Sequence, residues 1–311
     1  MASVATADVL ALLAAVPLAA LGGETFLKGV LGLGTWLRLP KLLVATTLAA
    51  FATSSPELTV SSMAALAGKP SIGLGDALGS NVVNIALILG LALLFGALPA
   101  RLADIRRDLT LALGVPVLTL LLARDGFLSR ADGLLLLALF TGWMALVVRQ
   151  GVNHRRSTVG NAEGRSGPAL ASLFSLLGLA CLILAGRLFV TGASGIATAF
   201  GVHPYVIGAL VVAIGTSLPE LVTTLIARWR GHDDVGLGTL LGSNLFNGLA
   251  IVGVAATIHP IRAPLEEVAV AIGFGVLALL LMLPFRGLIA RRRGVVLLAT
   301  YLAYLAATLI V

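Results

Sequence analysis

The sequence predicts an all-α polytopic membrane protein of ten transmembrane helices, arranged as two inverted five-helix repeats with broken helices at the bilayer midplane. Three observations predict this class. First, 59% of the 311 residues are hydrophobic, 11% are charged and the mean hydropathy is +1.05, which excludes an ordinary soluble domain. Second, apolar stretches of membrane-spanning length follow one another along the chain. Third, a polar motif inside one of these stretches recurs 163 positions later.

The apolar stretches define the predicted spans. They lie at residues 7–30, 41–66, 71–97, 106–123, 129–149, 168–199, 203–227, 235–258, 265–285 and 293–311. The first is predicted to be a span and not a signal peptide, because no basic segment precedes it and Asp8 stands in that region. The lone Cys181 excludes an intramolecular disulfide.

The distribution of Lys and Arg predicts the orientation. Fifteen of these residues fall in the first, third, fifth, seventh and ninth loops, whereas four fall in the other loops. Because cytoplasmic loops carry the excess of positive charge, we expect the first loop and the segment 150–167 to be cytoplasmic and both termini to be outside. The expected location is the plasma (inner) membrane. The net charge of +7 follows from this topology, so no nucleic-acid partner is expected.

The offset of 163 divides the chain into two repeats. The first half is predicted at residues 1–149 and the second at residues 168–311, joined by a hydrophilic cytoplasmic linker at 150–167. Each half contains five spans, an odd number, so the second half must insert upside down relative to the first. Inverted repeats are an architecture of secondary transporters, which bind their substrates near the midplane.

Each half carries a proline and a glutamate inside a span. The segments that start at residues 52 and 215 read ATSSPEL and GTSLPEL, and place Glu57 and Glu220 in hydrocarbon, where a carboxylate is expensive. Proline lacks the N–H that would bond to the carbonyl four residues earlier. We therefore expect a broken helix in each half, in which the carbonyls of Ala52 and Gly215 lose their partners.

A second motif follows the first in each half, reading GSNVVN from residue 79 and GSNLFN from residue 242. Small residues allow close helix packing and Asn side chains bond between helices, which we expect of Asn81 and Asn244. Glycines expected to permit packing are Gly75, Gly79, Gly238 and Gly242. Carboxylates, hydroxyls, amides and free carbonyls are hard oxygen donors, which suit Ca²⁺ or Na⁺ better than Zn²⁺ or Cu⁺. The four helices are thus expected to form one site for a hard cation.

The paired motifs resemble the two alpha-repeats of the cation/Ca²⁺ exchanger superfamily, here at residues 50–90 and 213–253, and within it the prokaryotic sodium/calcium exchanger family. The resemblance covers nearly the whole chain, including GETFLKG from residue 23 and GRLFVTG from residue 186. It implies a secondary antiporter and not an enzyme, without cofactors, exchanging Ca²⁺ for Na⁺ by alternating access. The ion ligands that it implies are Glu57, Glu220, Thr53, Thr216, Ser54, Ser217, Ser80, Ser243, Asn84, Asn247, Ala50 and Ala213.

Several alternatives stay open at this point. H⁺/Ca²⁺ exchange and K⁺-dependent Na⁺/Ca²⁺ exchange use the same carboxylates, and Asn247 stands where some relatives have an aspartate. A cation channel is less favoured, because channels commonly surround an axis with several subunits. The protein is expected to function as a monomer in the lipid bilayer. Asp76 departs from the family pattern. It either adds negative charge along the access path of the ion or stands at the amino end of a helix, where the helix dipole favours an acidic residue. Glu24 and Arg187 occupy equivalent positions, and either pair across the repeats or extend separately to the membrane surface.

Overall fold

The computed structural model describes residues 5–157, 167–201 and 213–310, and most of them are helical. The α-helices are α1 (Thr6–Leu37), α2 (Lys41–Val44), α3 (Ala50–Thr53), α4 (Ser55–Leu66), α5 (Pro70–Val82), α6 (Gly90–Leu94), α7 (Leu102–Leu122), α8 (Arg130–Ser157), α9 (Pro168–Ala199), α10 (Ala213–Thr216), α11 (Leu218–Trp229), α12 (Asp233–Leu245), α13 (Val252–Ile258), α14 (Leu265–Leu281) and α15 (Arg291–Ile310). In the described ranges, three π-helical segments (Ala45–Ala49, Val83–Leu89 and Phe246–Ile251) join α2 to α3, α5 to α6 and α12 to α13, and one 3₁₀ turn covers Ala123–Asp125.

Five continuous helical stretches in the described residues are long and apolar enough to cross a membrane. They are Thr6–Leu37, Pro70–Leu94, Arg130–Arg155, Pro168–Ala199 and Asp233–Ile258, and shorter apolar helices cover Lys41–Thr53 and Val268–Leu281. The predicted all-helical membrane class is confirmed at this level. The count of ten spans and the inversion of the halves stay predictions.

The two halves repeat their local structure around the motifs. Helices α3, α4 and α5 begin and end 163 residues before α10, α11 and α12. The turns after α4 and α11 match as well, because Gly68 and Gly231 have φ angles of 73° and 71°, a conformation that glycine adopts without steric cost. In both turns the next residue, Lys69 or His232, donates its N–H to the carbonyl five residues earlier. Each half therefore forms the same helical hairpin.

Two short antiparallel ladders add strands that the sequence did not predict. Strand β1 (Leu98–Pro99) pairs with β4 (Leu288–Ile289), and β2 (Phe127–Leu128) pairs with β3 (Ile261–Arg262). Each ladder joins a loop of the first half to a loop of the second half. The loops joined in this way share a predicted side of the membrane.

The segment between the halves differs from the prediction. Helix α8 continues to Ser157, because residues 150–157 contain no proline and only one glycine, Gly151. The first part of the predicted linker 150–167 is therefore helical. Residues 158–166 lie outside the described residues, as does the start of the predicted span 203–227 up to residue 212.

The hairpins that carry the second motif lie at the centre of the protein. Their fully buried side chains include Ile85, Ile88, Leu89, Leu240, Leu241 and Leu245. In contrast, Leu10, Leu13 and Val16 of α1 are more than half exposed, at 60%, 64% and 69%. A peripheral helix with exposed Leu and Val fits hydrocarbon better than water, so the central helices are those shielded from lipid.

The polar contacts at the loop ends also join the halves. Glu24 accepts from Arg230 Nε at 3.0 Å and lies 3.5 Å from Lys28 Nζ; the alternative in which Glu24 pairs with Arg187 is therefore wrong. Lys41 Nζ lies 3.2 Å from His232 Nδ1. Burial, together with the charge of Lys41, lowers the pKa of His232, so the imidazole is kept neutral and accepts this hydrogen bond.

The buried carboxylate of Asp108 on α7 links this helix to α8. Asp108, which is 4% exposed, accepts from Arg107 Nε at 2.7 Å and from Trp143 Nε1 at 3.0 Å. The Trp143 ring is itself buried, so its N–H depends on this carboxylate for a partner. Asp108 therefore fixes the packing of two helices that lie outside the repeated motifs.

Replacing Asp108 with alanine is expected to lower the free energy of unfolding by about 1–3 kcal/mol, because the buried Trp143 N–H and the guanidinium of Arg107 both lose their acceptor. The measurement is the midpoint of thermal unfolding in detergent. Asp104→Ala provides the matched control, since Asp104 is exposed in the first turn of the same helix. An equal fall of the unfolding midpoint in the two variants would contradict a specific role for the buried Asp108 carboxylate.

Candidate cation site

Each Pro-Glu motif breaks its helix at one residue. The break falls at Ser54 in the first half (φ −86°, ψ 7°) and at Ser217 in the second (φ −85°, ψ 11°). A new helix starts directly afterwards, with the proline in its first turn, where the missing N–H costs nothing. The Ala52 carbonyl has no N–H partner four residues later, because that residue is Pro56, but it is not left free, since the Ser55 hydroxyl donates to it at 2.7 Å.

The breaks place Glu57 and Glu220 in the first turns of α4 and α11, and each side chain is 1% exposed. Glu220 Oε1 accepts hydrogen bonds from Ser54 Oγ at 3.0 Å and from Ser243 Oγ at 3.1 Å. Ser54 belongs to the first half and Ser243 to the second. The structure thus brings the two halves together around the Glu220 carboxylate.

The surroundings of Glu57 are different. The equivalents of the two donors to Glu220 are Ser217 and Ser80, and here Ser217 Oγ donates to Ser80 Oγ at 3.4 Å. Among the described atoms, Oε2 of Glu57 and Oε2 of Glu220 are buried without a hydrogen-bond partner. Each carboxylate of the pair is therefore only partly satisfied by the described part of the protein.

Amide side chains from the second motif close the next layer of the site. Asn84 Nδ2 donates to Asn244 Oδ1 at 3.0 Å, and Asn244 Nδ2 donates to the Asn81 carbonyl at 3.3 Å. Bonding between helices is confirmed for Asn244. Asn84 Oδ1 and both polar atoms of the Asn247 side chain are buried without partners in the described part of the chain, so both residues keep an oxygen available.

The other predicted ligands take the following places. Thr53 and Ala50 are fully buried, and the Thr53 hydroxyl lies 3.3 Å from the Ala50 carbonyl and also hydrogen-bonds with the Glu220 carboxylate. Thr216 ends α10 and is partly buried. Ala213 begins α10, and its side chain lies outside the described residues.

The four glycines expected to permit close packing do not behave alike. A Cβ at Gly238 would lie 2.9 Å from the Leu42 carbonyl oxygen, and a Cβ at Gly242 would lie 2.1 Å from that of Thr46. The expected close packing is confirmed at these two positions. It is wrong at Gly75, where a Cβ would meet nothing within 4 Å, and Gly79 faces only the Tyr304 hydroxyl at 3.4 Å.

Three polar residues near the pair were missed as site residues. Asp76 lies inside α5 and not at its amino end, which overturns that interpretation, and its Oδ2 is buried without a hydrogen-bond partner among the described residues. Thr223 and Thr224 follow Glu220 by one helical turn and bury hydroxyl oxygens that have no partner in the same part of the chain. The i+3 and i+4 spacing from Glu220 could have indicated both threonines.

The chemistry of the site follows from its unpaired atoms. Two buried carboxylates, with amide and hydroxyl oxygens around them, carry negative charge that no Lys, Arg or His of the described residues pairs with. An unpaired buried charge is expensive. Oxygen donors of this kind bind hard cations, so the residues present fit a cation as the missing partner.

The fold and the site together define a polytopic helical membrane protein with a buried, oxygen-lined cation site, the arrangement of a cation transporter. The model of the sodium/calcium exchanger protein family matches residues 8–149 and 170–310. The chain belongs to this family, which consists of transporters.

Individual relatives agree with this assignment. The putative antiporter CaxA of Alkalimonas amylolytica is 35% identical over 243 residues, 76% of each chain. The sodium/calcium exchanger MaX1 of Methanosarcina acetivorans is 26% identical over 91% of this chain and 93% of its own. Among solved structures, the sodium-calcium exchanger NCX_Mj of Methanococcus jannaschii, soaked with Na⁺ and Sr²⁺, superposes with a TM-score of 0.84 and 27% identity, over 96% of this chain and 98% of that one.

Proposed function

We propose that the protein is a secondary antiporter that exchanges Ca²⁺ for Na⁺ across the membrane by alternating access. The observation that carries the proposal is the pair of buried carboxylates, one from an equivalent helix break in each half, with oxygens left unpaired. Sodium as the second ion is supported by the names of MaX1 and NCX_Mj.

The proposed ligands come from both halves of one chain. Glu57 and Glu220 supply the charge, and the backbone carbonyls of Thr53 and Thr216 complete the Ca²⁺ site. Flanking Na⁺ positions use Ser54, Ser80, Ser217, Ser243, Ala50 and Ala213, with Asn84 and Asn247 beside the centre. Because one chain provides the whole set, the protein is proposed to function as a monomer without a cofactor.

Charge explains why such a site would exchange ions and not simply release them. With both glutamates ionised, the empty site carries two negative charges, and moving it through a closed, dehydrated state is costly. One Ca²⁺ or two Na⁺ cancel that charge. The loaded protein therefore changes its orientation more readily than the empty one, which makes transport of one ion depend on return of the other.

The proposed architecture is two inverted five-helix repeats, at residues 1–149 and 168–311, with ten spans. Both termini are outside and the linker 150–167 is cytoplasmic, in the plasma membrane. The ladders β1–β4 and β2–β3 support this topology, because each joins loops that the charge rule assigns to one side. Labelling of a cysteine introduced at residue 160 by an impermeant reagent, applied outside intact cells, would contradict the orientation.

Transport into proteoliposomes tests the function. Vesicles containing the purified protein are loaded with Na⁺, with K⁺, with both, or with a pH gradient alone, and uptake of radioactive Ca²⁺ is measured. We expect rapid Ca²⁺ uptake only into vesicles that are loaded with Na⁺ and diluted into Na⁺-free medium. Uptake driven only by the pH gradient would replace Na⁺ by H⁺ as the coupled ion, and a requirement for K⁺ would show the K⁺-dependent variant. Equal uptake without any internal ion would overturn the antiporter itself.

A further inference from the structure

An open cavity of about 630 Å³ lies between the loop after α14 and the start of α15, away from the cation site. Among the described residues that line it, none is acidic and four are arginines: Arg286, Arg291, Arg292 and Arg293. A neighbouring cavity of about 490 Å³ differs in this respect, because Asp104 and Asp234 accompany its arginines. The first cavity therefore concentrates positive charge without compensating carboxylates.

The protein itself does not neutralise these four guanidinium groups. Nη1 of Arg293 donates to the backbone carbonyls of Leu281, at 3.1 Å, and Leu283, which satisfies the donor but leaves the charge. No ion pair in the described part of the chain includes any of the four arginines. Three of them stand in the first turn of α15, where the helix dipole disfavours cations. An anion in the cavity would relieve the repulsion among all four.

Arg286 stands at a position that does not suit an arginine. It forms a two-residue hairpin turn with Gly287, because the N–H of Phe285 donates to the Leu288 carbonyl at 2.9 Å and the reverse bond is 3.2 Å long. The φ angles of the two turn residues are 52° and 80°, and turns of this kind favour Asn-Gly. The excess of positive charge on one side of the membrane does not require an arginine at this position. Unfavourable backbone conformations are retained mainly at functional sites, and the Arg286 side chain lines the cavity.

The surroundings of the cavity are those of a membrane–water interface. Phe285 and Leu288 line it and are both exposed. Phe95 and Trp229 are exposed as well and pack edge to face, with ring centroids 5.9 Å apart, and Ala97, two residues after Phe95, also lines the cavity. Aromatic side chains are enriched at the level of the lipid headgroups. The anions that are concentrated at this level are phospholipid phosphates.

We propose that this cavity binds the headgroup of an anionic phospholipid, whose phosphate is held by Arg286, Arg291 and Arg292. Guanidinium groups bind phosphate oxygens through two parallel hydrogen bonds, and basic pockets between transmembrane helices bind anionic lipid headgroups. The acyl chains lie against the exposed side chains of Phe285 and Leu288. Binding of this lipid does not depend on which ions the protein exchanges.

The test is a lipid titration of the delipidated protein in an uncharged detergent. Phosphatidylglycerol is compared with phosphatidylcholine of the same acyl chains, and native mass spectrometry measures the affinity and the number of bound lipids. We expect one tightly bound phosphatidylglycerol and no equivalent binding of phosphatidylcholine. The double variant Arg291→Gln with Arg292→Gln should weaken the binding of phosphatidylglycerol at least about tenfold, because charge-assisted bonds to the phosphate are lost.

The matched control is the double variant Arg101→Gln with Arg106→Gln. It removes the same charge from exposed arginines that are predicted to lie on the same side of the membrane and do not line this cavity. We expect its affinity for phosphatidylglycerol to equal that of the wild type. Equal weakening in both double variants would overturn the cavity as a site, because general surface charge would then explain the binding.

Arg286→Asn separates binding from folding. Asn-Gly is the favoured sequence for a hairpin turn with two positive φ angles, so we expect the unfolding midpoint without lipid to stay the same or rise. The affinity for phosphatidylglycerol should nevertheless fall, because one phosphate ligand is lost. An Arg286→Asn protein that binds phosphatidylglycerol as tightly as the wild type would exclude Arg286 from the site.

Two further outcomes would overturn the assignment to an anionic lipid. Equal affinity for phosphatidylcholine would show that the negative charge of the headgroup is not recognised. Displacement of phosphatidylglycerol by an equal concentration of glycerol phosphate would show that the ligand is a soluble phosphate. Because lipid binding is measured without transported ions, each of these results leaves the proposed antiport untouched.

Discussion

Replacing Glu220 with glutamine is expected to reduce Ca²⁺ exchange by at least about a hundredfold. Glutamine keeps the shape of the side chain and can still accept from Ser54 and Ser243, the donors to Glu220 Oε1. It loses the charge that faces the ion. Removing one partner of a buried charge pair costs about 3–5 kcal/mol, which corresponds to roughly a hundredfold or more in affinity. Radioactive Ca²⁺ uptake and equilibrium Ca²⁺ binding in detergent measure the loss.

The same variant should have the opposite effect on the empty protein. Glu57 and Glu220 are both buried and oppose one another electrostatically, so neutralising one of them relieves a repulsion. We expect the unfolding midpoint without Ca²⁺ to rise and the stabilisation on adding Ca²⁺ to shrink. Glu266→Gln is the control, because Glu266 is exposed in the first turn of α14. A Glu220→Gln protein that Ca²⁺ stabilises as strongly as the wild type would exclude Glu220 from the ion site.

The helix breaks and the central carboxylates could be predicted because their causes are local. A proline fixes where a helical hydrogen bond is missing, and a glutamate in an apolar stretch is too costly to be incidental. The offset of 163 then relates the two halves, and the structure shows breaks at Ser54 and Ser217 with nearly the same backbone angles. These features depend on residues within a few positions of each other.

The hydrogen bonds inside the site could not be predicted, because they depend on how unlike neighbours pack. Val83 and Phe246 occupy equivalent positions, but only the phenylalanine brings a ring that packs against Phe51 and Phe140, with centroids 5.2 Å and 4.8 Å apart. Equal motifs thus sit in unequal surroundings. Glu220 receives hydroxyls from both halves, while Ser217 donates to Ser80.

Contacts between distant segments of the chain could not be predicted from the sequence either. Asp108 and Trp143 are 35 positions apart and belong to neither motif, and Arg107 read as an ordinary basic residue near a loop. The two-residue strands are too short to produce any periodic pattern. In each case, the partner is determined by helix packing in three dimensions and not by nearby residues.

The equivalent glycines Gly79 and Gly242 provide a further test of this asymmetry, because alanine at the two positions is expected to have opposite effects. An added Cβ at Gly242 would lie 2.1 Å from the carbonyl oxygen of Thr46 and 2.6 Å from the Cβ of Ala50. Neither the Thr46 backbone nor the buried Ala50 side chain can rotate to avoid this contact, so α12 must move away from the segment that leads to Ser54. Overpacking of this kind costs about 1–3 kcal/mol, and it separates the two halves at the ion site.

At Gly79 the nearest atom to an added Cβ is the Tyr304 hydroxyl at 3.4 Å, an ordinary contact. Alanine also favours helix over glycine by about 1 kcal/mol, so Gly79→Ala should keep or raise the unfolding midpoint and retain exchange. Gly242→Ala should lower the midpoint and lose most of the Ca²⁺ uptake. Thermal unfolding in detergent and proteoliposome uptake compare the two variants directly. If both variants lost stability and Ca²⁺ uptake to a similar extent, the two halves would pack alike around the site. That result would contradict the difference seen here, in which Gly242 faces the Thr46 backbone and Gly79 faces only the Tyr304 hydroxyl.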